Sequence, residues 1–241
     1  MRKSLLICIA FHCSEKRVDY LKRILAEIFF TYDIDCKIII DTNSHDAYNL
    51  IKTLNPIKVD IVVHENLAHP FHLTWMHRKH IKHNIDNYDY FMYLEDDMLL
   101  PYENFLNYIE NFKLLWPVAV PGFIRIEKHD GVEYVADVTE HHKLKNVNCV
   151  GCGDKKFESL PFLQNYHAFW IMPQKELKET MKPDFVKVTD GREFAAMYVG
   201  WELGKPCLVQ IENGQVSTKC YSYHLPNNVS KKIIKANEIF I

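Results

Sequence analysis

The stretch Tyr90-Phe-Met-Tyr-Leu-Glu95-Asp96-Asp97-Met98 joins an apolar run to three adjacent carboxylates. Tyr90–Leu94 is short and continuous, the pattern of a strand buried on both faces of a parallel sheet. Three neighbouring carboxylates at the end of such a strand repel one another. They are stable only where a cation or hydrogen-bond donors compensate them. A hard divalent ion with oxygen ligands, Mg2+ or Mn2+, is the natural partner, because it keeps coordination positions for water and phosphate oxygens. The competing reading is a solvated acidic turn ahead of the next helix, where Asp and Glu are favourable in any case.

The same strand pattern recurs upstream, at Leu5–Ala10, Cys36–Ile40 and Val59–Val63. Between the first two, Val18, Leu21, Ile24, Leu25 and Ile28 recur at helical spacing and predict an amphipathic helix over 16–30. Ala47–Leu54 suits a short helix stopped by Pro56, and residues 72–85 suit another. Phe105, Leu106, Ile109 and Phe112 mark a helix after the acidic strand. Alternating strands and helices argue for an α/β fold with a mainly parallel sheet and helices on both faces. Ligands bind such sheets outside the carboxyl ends of the strands. Those ends are polar here: His12, then Asp41-Thr42-Asn43, then Glu65-Asn66, then the acidic triplet.

After Pro117 the pattern changes. Val118–Ile126, Val132–Val138 and Phe169–Met172 read as strands, and Glu193–Leu203 as a helix stopped by Gly204 with Pro206 beyond. Leu208–Ile211 and Val216–Tyr223 read as a hairpin around Asn213-Gly214. The expectation is one domain over 1–241. A nucleotide-binding half spans 1–116, and a mixed α+β acceptor half built on the same sheet spans 117–241. Lys231–Ile241 is basic, then apolar, and suits a loose helix.

Composition narrows the function. Hydrophobic residues make up 48% and charged residues 25% of the 241, which excludes collagen-like, low-complexity and wholly disordered classes. Lys plus Arg number 29 against 31 Asp plus Glu, too balanced for a dedicated nucleic-acid binder, so no nucleic-acid partner is expected. No run reaches the roughly 20 apolar residues that span a bilayer. The N-terminus has two basic residues and then Leu5–Phe11, but no small-residue cleavage site follows, so a buried first strand is the better reading. Phe11 and His12 are too large for lipoprotein processing at Cys13. Seven irregularly spaced Cys do not make a disulfide framework, which points to a reducing cytoplasmic compartment. Cys149 and Cys152, beside Gly151 and Gly153, read as a Gly-rich turn rather than half of a zinc site.

Tyr93-Leu94-Glu95-Asp96-Asp97 resembles the Asp-x-Asp-type motif of glycosyltransferases with the GT-A fold, including those of the N-acetylglucosaminyltransferase I type. The resemblance implies a Rossmann-like nucleotide-binding half merged with an acceptor half. It also implies a Mn2+ or Mg2+ cofactor and a nucleotide-sugar donor, most simply UDP-linked. By it, Asp97 ligates the metal, Glu95 acts beside it, and Asp96 contacts the ribose. His12, Asp41, Thr42 and Asn43 meet the base of the nucleotide. The implied acceptor is a hydroxyl of a glycan or lipid-linked glycan, compatible with peripheral contact at the cytoplasmic membrane face.

Further residues join this picture. Thr74, His77 and Arg78 share a helix face, where Arg78 is either a phosphate clamp or a surface charge, and Trp75 reads as core. Six of the 13 His lie between His64 and His83. His77, His80 and His83 stand three apart, but without a His-Glu-x-x-His pattern they read as a polar helix face. In Tyr221-Ser-Tyr-His224, the resemblance makes His224 a metal ligand; a turn His ahead of Pro226 is the alternative. Lys231 and Lys232 either help neutralise the diphosphate or form a solvated tail. Asp190-Gly-Arg-Glu193 offers Glu193 as the base of an inverting transfer, or as part of a capping box. In Tyr166-His-Ala-Phe-Trp170, His167 and Trp170 are candidate acceptor contacts, with core packing the alternative for Trp170.

Two other functions compete. A nucleotidyltransferase acting on sugar phosphates would favour a Gly-rich phosphate loop after the first strand, and Phe11–Lys16 has no Gly. A non-catalytic metal- or carbohydrate-binding domain would bind glycans without nucleotide.

Overall fold

A computed structural model describes residues 2–53, 59–136, 150–159, 166–189, 191–228 and 235–236. In chain order its first strands are β1 (Ser4–Phe11), β2 (Asp35–Thr42), β3 (Val59–Val63), β4 (Tyr90–Glu95), β5 (Met98–Leu99), β6 (Val120–Pro121) and β7 (Ile124–His129). Then come β8 (Val132–Val135), β9 (Val150–Cys152), β10 (Lys155–Glu158), β11 (Phe169–Pro173), β12 (Cys207–Glu212), β13 (Gln215–Val216) and β14 (Tyr221–His224). The α-helices are α1 (Glu15–Thr31), α2 (His45–Thr53), α3 (His77–His83), α4 (Tyr102–Leu115), α5 (Gln174–Thr180) and α6 (Arg192–Ala196). The chain falls into two compact units, Met1–Asp97 with Ala168–Val199, and Met98–His167 with Gly200–Ile241.

The first unit is built on one sheet in the order β11-β4-β1-β2-β3. β1 runs parallel to both β2 and β4, and β2 parallel to β3, while β11 lies antiparallel along β4. Burial follows position. β1 is buried from Leu5 to Phe11, as a central strand with both faces covered must be, whereas β3 at the edge is half-exposed. The α1 face Val18, Leu21, Ile24, Leu25 and Ile28 is buried as its period predicts. Each such aliphatic chain contributes about 1.5–3 kcal/mol on full burial. From β1 the chain steps outward through β2 to β3, then returns across both to β4. The direction of winding therefore reverses between β1 and β4. In doubly wound sheets that reversal opens the ligand-binding crevice at the carboxyl edge.

The helix expected over 72–85 is divided. A 3-10 turn covers Pro70–Trp75 and α3 follows. Side chains cause the break: the Thr74 hydroxyl donates to the Phe71 carbonyl at 2.8 Å, and the His77 ring donates to the Thr74 carbonyl at 2.6 Å. Such local bonds compete with regular α-helical pairing. The helix expected over 193–203 is also cut short. α6 ends at Ala196, and a wide π-type turn spans Tyr198–Glu202. Val199 and Gly200 are poor helix formers, and the buried Tyr198 is pinned by its hydroxyl to the Thr180 carbonyl at 3.1 Å.

The second unit holds two sheets, β13-β12-β10-β9 with β6 beside β12, and β5-β14-β7-β8. Among the described residues, only β11 of the later strands joins the first sheet, which corrects the expectation that the second half extends it. Two strands expected to be continuous are broken between sheets. Val118–Ile126 divides at Gly122-Phe123 into β6 and β7, and Val216–Tyr223 divides at a 3-10 turn over Thr218–Cys220 that Ser217 caps. The Asn213-Gly214 hairpin forms as predicted, with both residues at positive φ (52° and 76°). Among the described residues, no helix is long and apolar enough to cross a membrane. Cys149, Asp190 and Lys231–Lys232 lie outside the described residues.

Gly122 marks where the backbone passes close to β12. A Cβ there would sit 3.1 Å from the Cys207 Cβ and 3.3 Å from its carbonyl carbon. Backbone cannot swing aside, so Gly122→Ala should destabilise by about 1–3 kcal/mol. Urea denaturation of that variant checks this; an unchanged midpoint would show that β6 can shift away from Cys207.

Candidate strand-end site

The first unit brings the acidic triplet to the end of β1. Asp96 is fully buried, and its Oδ2 accepts the backbone N–H of His12, the residue after β1, at 2.8 Å. Arg17, in the first turns of α1, forms a close ion pair with the other Asp96 oxygen and reaches Asp97 Oδ2 at 3.3 Å. Burial works against the Arg17 charge, but Asp96 and Asp97 outweigh it and hold the guanidinium pKa above its ordinary value. Burial pushes the Asp96 carboxyl up, and Asp97 and Glu95 add to that, while Arg17 and the His12 N–H pull it down. The His12 ring is pushed below the usual histidine range, first by burial and then by Arg17 and Arg192.

The three carboxylates therefore divide their tasks. Asp96 ties β4 to β1 and α1. Glu95 is half-buried and Asp97 is 6% exposed. Their oxygens are hard donors. That donor set fits Mg2+ or Mn2+.

The other expected residues scatter more widely. Asn43 is exposed, whereas Thr42 is wholly buried. Asp41 is 1% exposed and turned to two imidazoles, with its Oδ1 2.7 Å from His64 Nε2 and 2.8 Å from His80 Nε2. Asp41, His64 and His80 form a group that could hold a metal ion. Arg78 is no surface charge: it is buried and donates to the carbonyls of Phe185 and Phe194 at 3.1 and 3.0 Å. Its guanidinium also lies over the Trp75 ring, which is core as expected. The phosphate clamp expected of Arg78 gives way to a packing role.

The polar helix face expected for His77, His80 and His83 is corrected at His77 alone: His83 is exposed and His80 half-buried. His77 is buried, stacked 4.0 Å from the Tyr93 ring, and held neutral by burial and by Arg78. Trp170 packs between His77 and Tyr198 and donates its indole N–H to the Ala195 carbonyl at 3.2 Å, a core placement. Glu193 is half-buried near the start of α6 and pairs with Arg192 at 3.2 Å; the N-cap of this helix is Gly191.

In the second unit, His167 is buried and accepts the Phe123 N–H at 3.3 Å; burial and Arg125 push its pKa down to about 3. His224 Nδ1 lies 2.5 Å from Oε1 of Glu127, which is fully buried and also accepts the Asn228 N–H. A neutral ring in this bond carries its proton on Nδ1 and its lone pair on Nε2, the form that metal-ligating histidines take. The sequence reading missed Arg17, Glu127, and the convergence of His64 and His80 on Asp41.

No protein-family model matches the chain. No curated protein matches it either. Among solved structures it is similar to "Mannosyltransferase PcManGT from Pyrobaculum calidifontis in complex with GDP-Man and Mn2+" at 12% identity and a TM-score of 0.37. The match covers 49% of this chain and 34% of that one, so it spans about a third of that protein's length. A likeness of that size defines neither a fold family nor an activity.

Proposed function

We propose that the chain is a metal-dependent glycosyltransferase of GT-A type. It moves a sugar from a nucleoside-diphosphate donor, UDP-linked in the simplest case, to a hydroxyl of a glycan or lipid-linked glycan. One observation carries this reading. The acidic triplet stands at the carboxyl edge between β1 and β4, where the winding of the parallel sheet reverses and such folds take up nucleotides.

In this reading Glu95 and Asp97 hold Mn2+ or Mg2+. When bound, the ion supplies Lewis-acid stabilisation of the diphosphate leaving group. Asp96 and Arg17 position Asp97 and fasten the strand end. His12 and the exposed Asn43 meet the nucleotide. Glu193 takes the proton from the acceptor hydroxyl, which gives inversion at the anomeric carbon.

The test is thermal unfolding with UDP, GDP, CDP or dTDP, each with Mn2+ or with EDTA, for the wild type and Asp97→Ala. One nucleotide should stabilise the wild type by roughly 2.7 kcal/mol at 100 times its Kd, only with Mn2+ present. Asp97→Ala should abolish that gain. If no nucleotide moves the transition under either condition, the transferase reading fails and a glycan-binding domain takes its place.

A further inference from the structure

We propose that Asp41, His64 and His80 bind a divalent transition-metal ion of the imidazole-preferring class, Zn2+ foremost, separately from the carboxylates of β4. The three donor atoms lie within 4.8 Å of one another. They come from three parts of the first unit. Asp41 is near the end of β2, His64 follows β3 with its N–H bonded to the Thr42 carbonyl at 2.8 Å, and His80 is in α3. Two strand ends and a helix hold the ligands, a more rigid frame than loops provide.

Asp41 itself points to a cation. Both imidazole Nε2 atoms converge on one oxygen, Oδ1. The other, Oδ2, is buried and has no hydrogen-bond partner among the described residues. A buried acceptor left unsatisfied is unfavourable, and a charged one more so. An ion in contact with the carboxylate satisfies it without a further donor. The His64 and His80 side chains are 19% and 22% exposed, so an ion and its water can reach the site.

The donor set selects the ion. Two imidazole nitrogens and one carboxylate suit Zn2+, Co2+ or Ni2+, whereas the all-oxygen set of Glu95 and Asp97 suits Mn2+ or Mg2+. Three protein ligands leave a tetrahedral ion one position for water or an anionic group. Without metal, both imidazoles must carry a proton on Nε2 to hydrogen-bond Oδ1. With metal, both must present a lone pair there and carry the proton on Nδ1. Binding therefore removes the Nε2 proton from both rings. The proposal does not depend on sugar transfer, and the two can fail separately.

The experiment is calorimetric titration of the full chain with Zn2+, in the wild type, Asp97→Ala, His64→Asn and His80→Asn, alongside imidazole 15N NMR of the wild type. Asp97→Ala should keep one Zn2+ site that excess Mg2+ does not displace. His64→Asn and His80→Asn should lose more than the roughly 10- to 100-fold in affinity that an outer-shell change costs. Two imidazoles should lose the Nε2 proton and keep Nδ1–H as Zn2+ is added. Unchanged Zn2+ affinity in either His variant would overturn the proposal. So would retention of both Nε2 protons in the wild type, which decides the matter even if the variants do not fold. Asp41 would then be a carboxylate held by two N–H donors and nothing more.

Discussion

Arg17→Leu should cost the protein about 3 kcal/mol of stability at neutral pH, with a deficit that shrinks on acidification. Asp96 is fully buried and has two close partners, the His12 N–H and the Arg17 guanidinium. Leucine keeps most of the apolar stem of Arg17 but leaves the carboxylate beside Asp97 and Glu95 with one neutral donor. Breaking a buried pair by removing one partner costs about 3–5 kcal/mol. The Arg17 side chain is 34% exposed, so the lower end applies. Burial already pushes the Asp96 carboxyl up, and loss of Arg17 removes its main downward pull. A carboxyl whose folded pKa exceeds its unfolded value favours folding at low pH and loses that contribution as pH rises through the folded pKa. The Arg17→Leu deficit should therefore grow from acid to neutral. Urea denaturation of both proteins across that range measures it. A deficit below about 1 kcal/mol, the same at every pH, would place Arg17 among ordinary surface charges.

This pair also shows what the sequence could and could not reveal. β1, β2 and β4 were legible because strands covered on both faces need unbroken apolar runs, and α1 because its inner face repeats every three to four residues. The order of the strands was not legible. Register and winding reversal are properties of pairing, so the meeting of His12 with Asp96 has no local signature. Arg17 sits next to Val18 in the first turns of an amphipathic helix and reads as solvated until that helix is laid beside β4. Arg78 failed in the opposite direction. A guanidinium in a predicted helix reads as solvated, yet here two backbone carbonyls and the Trp75, Phe185 and Tyr198 rings receive it. In the second half, continuous apolar runs concealed breaks. Gly122 and Ser217 interrupt them, but one Gly or Ser is too weak a signal to show that a strand changes sheets there.

Acid should destabilise the protein well before its carboxylates titrate, because two buried histidines resist protonation. His77 donates from Nδ1 to the Thr74 carbonyl, and its Nε2 is buried without a hydrogen-bond partner among the described residues. His167 uses Nε2 to accept the Phe123 N–H, and its pKa falls from 6.5 to about 3, chiefly through burial. A histidine whose folded pKa is depressed binds its proton only after unfolding. Its contribution is complete above the unfolded pKa and is lost as pH falls from there toward the folded one. Such an imidazole costs about 1.4 kcal/mol per pH unit in that window, so His167 alone should cost roughly 2 kcal/mol between pH 6.5 and 5, and His77 acts in the same direction. Asp96 acts with the opposite sign, since its raised carboxyl takes up a proton while folded. A paired comparison removes that term. His167→Gln keeps an acceptor for the Phe123 N–H but cannot be protonated. Its stability relative to wild type should rise by about 1.4 kcal/mol for each pH unit below 6.5. Parallel stability curves for the two proteins from pH 7 to 5 would mean that His167 gains its proton as readily folded as unfolded.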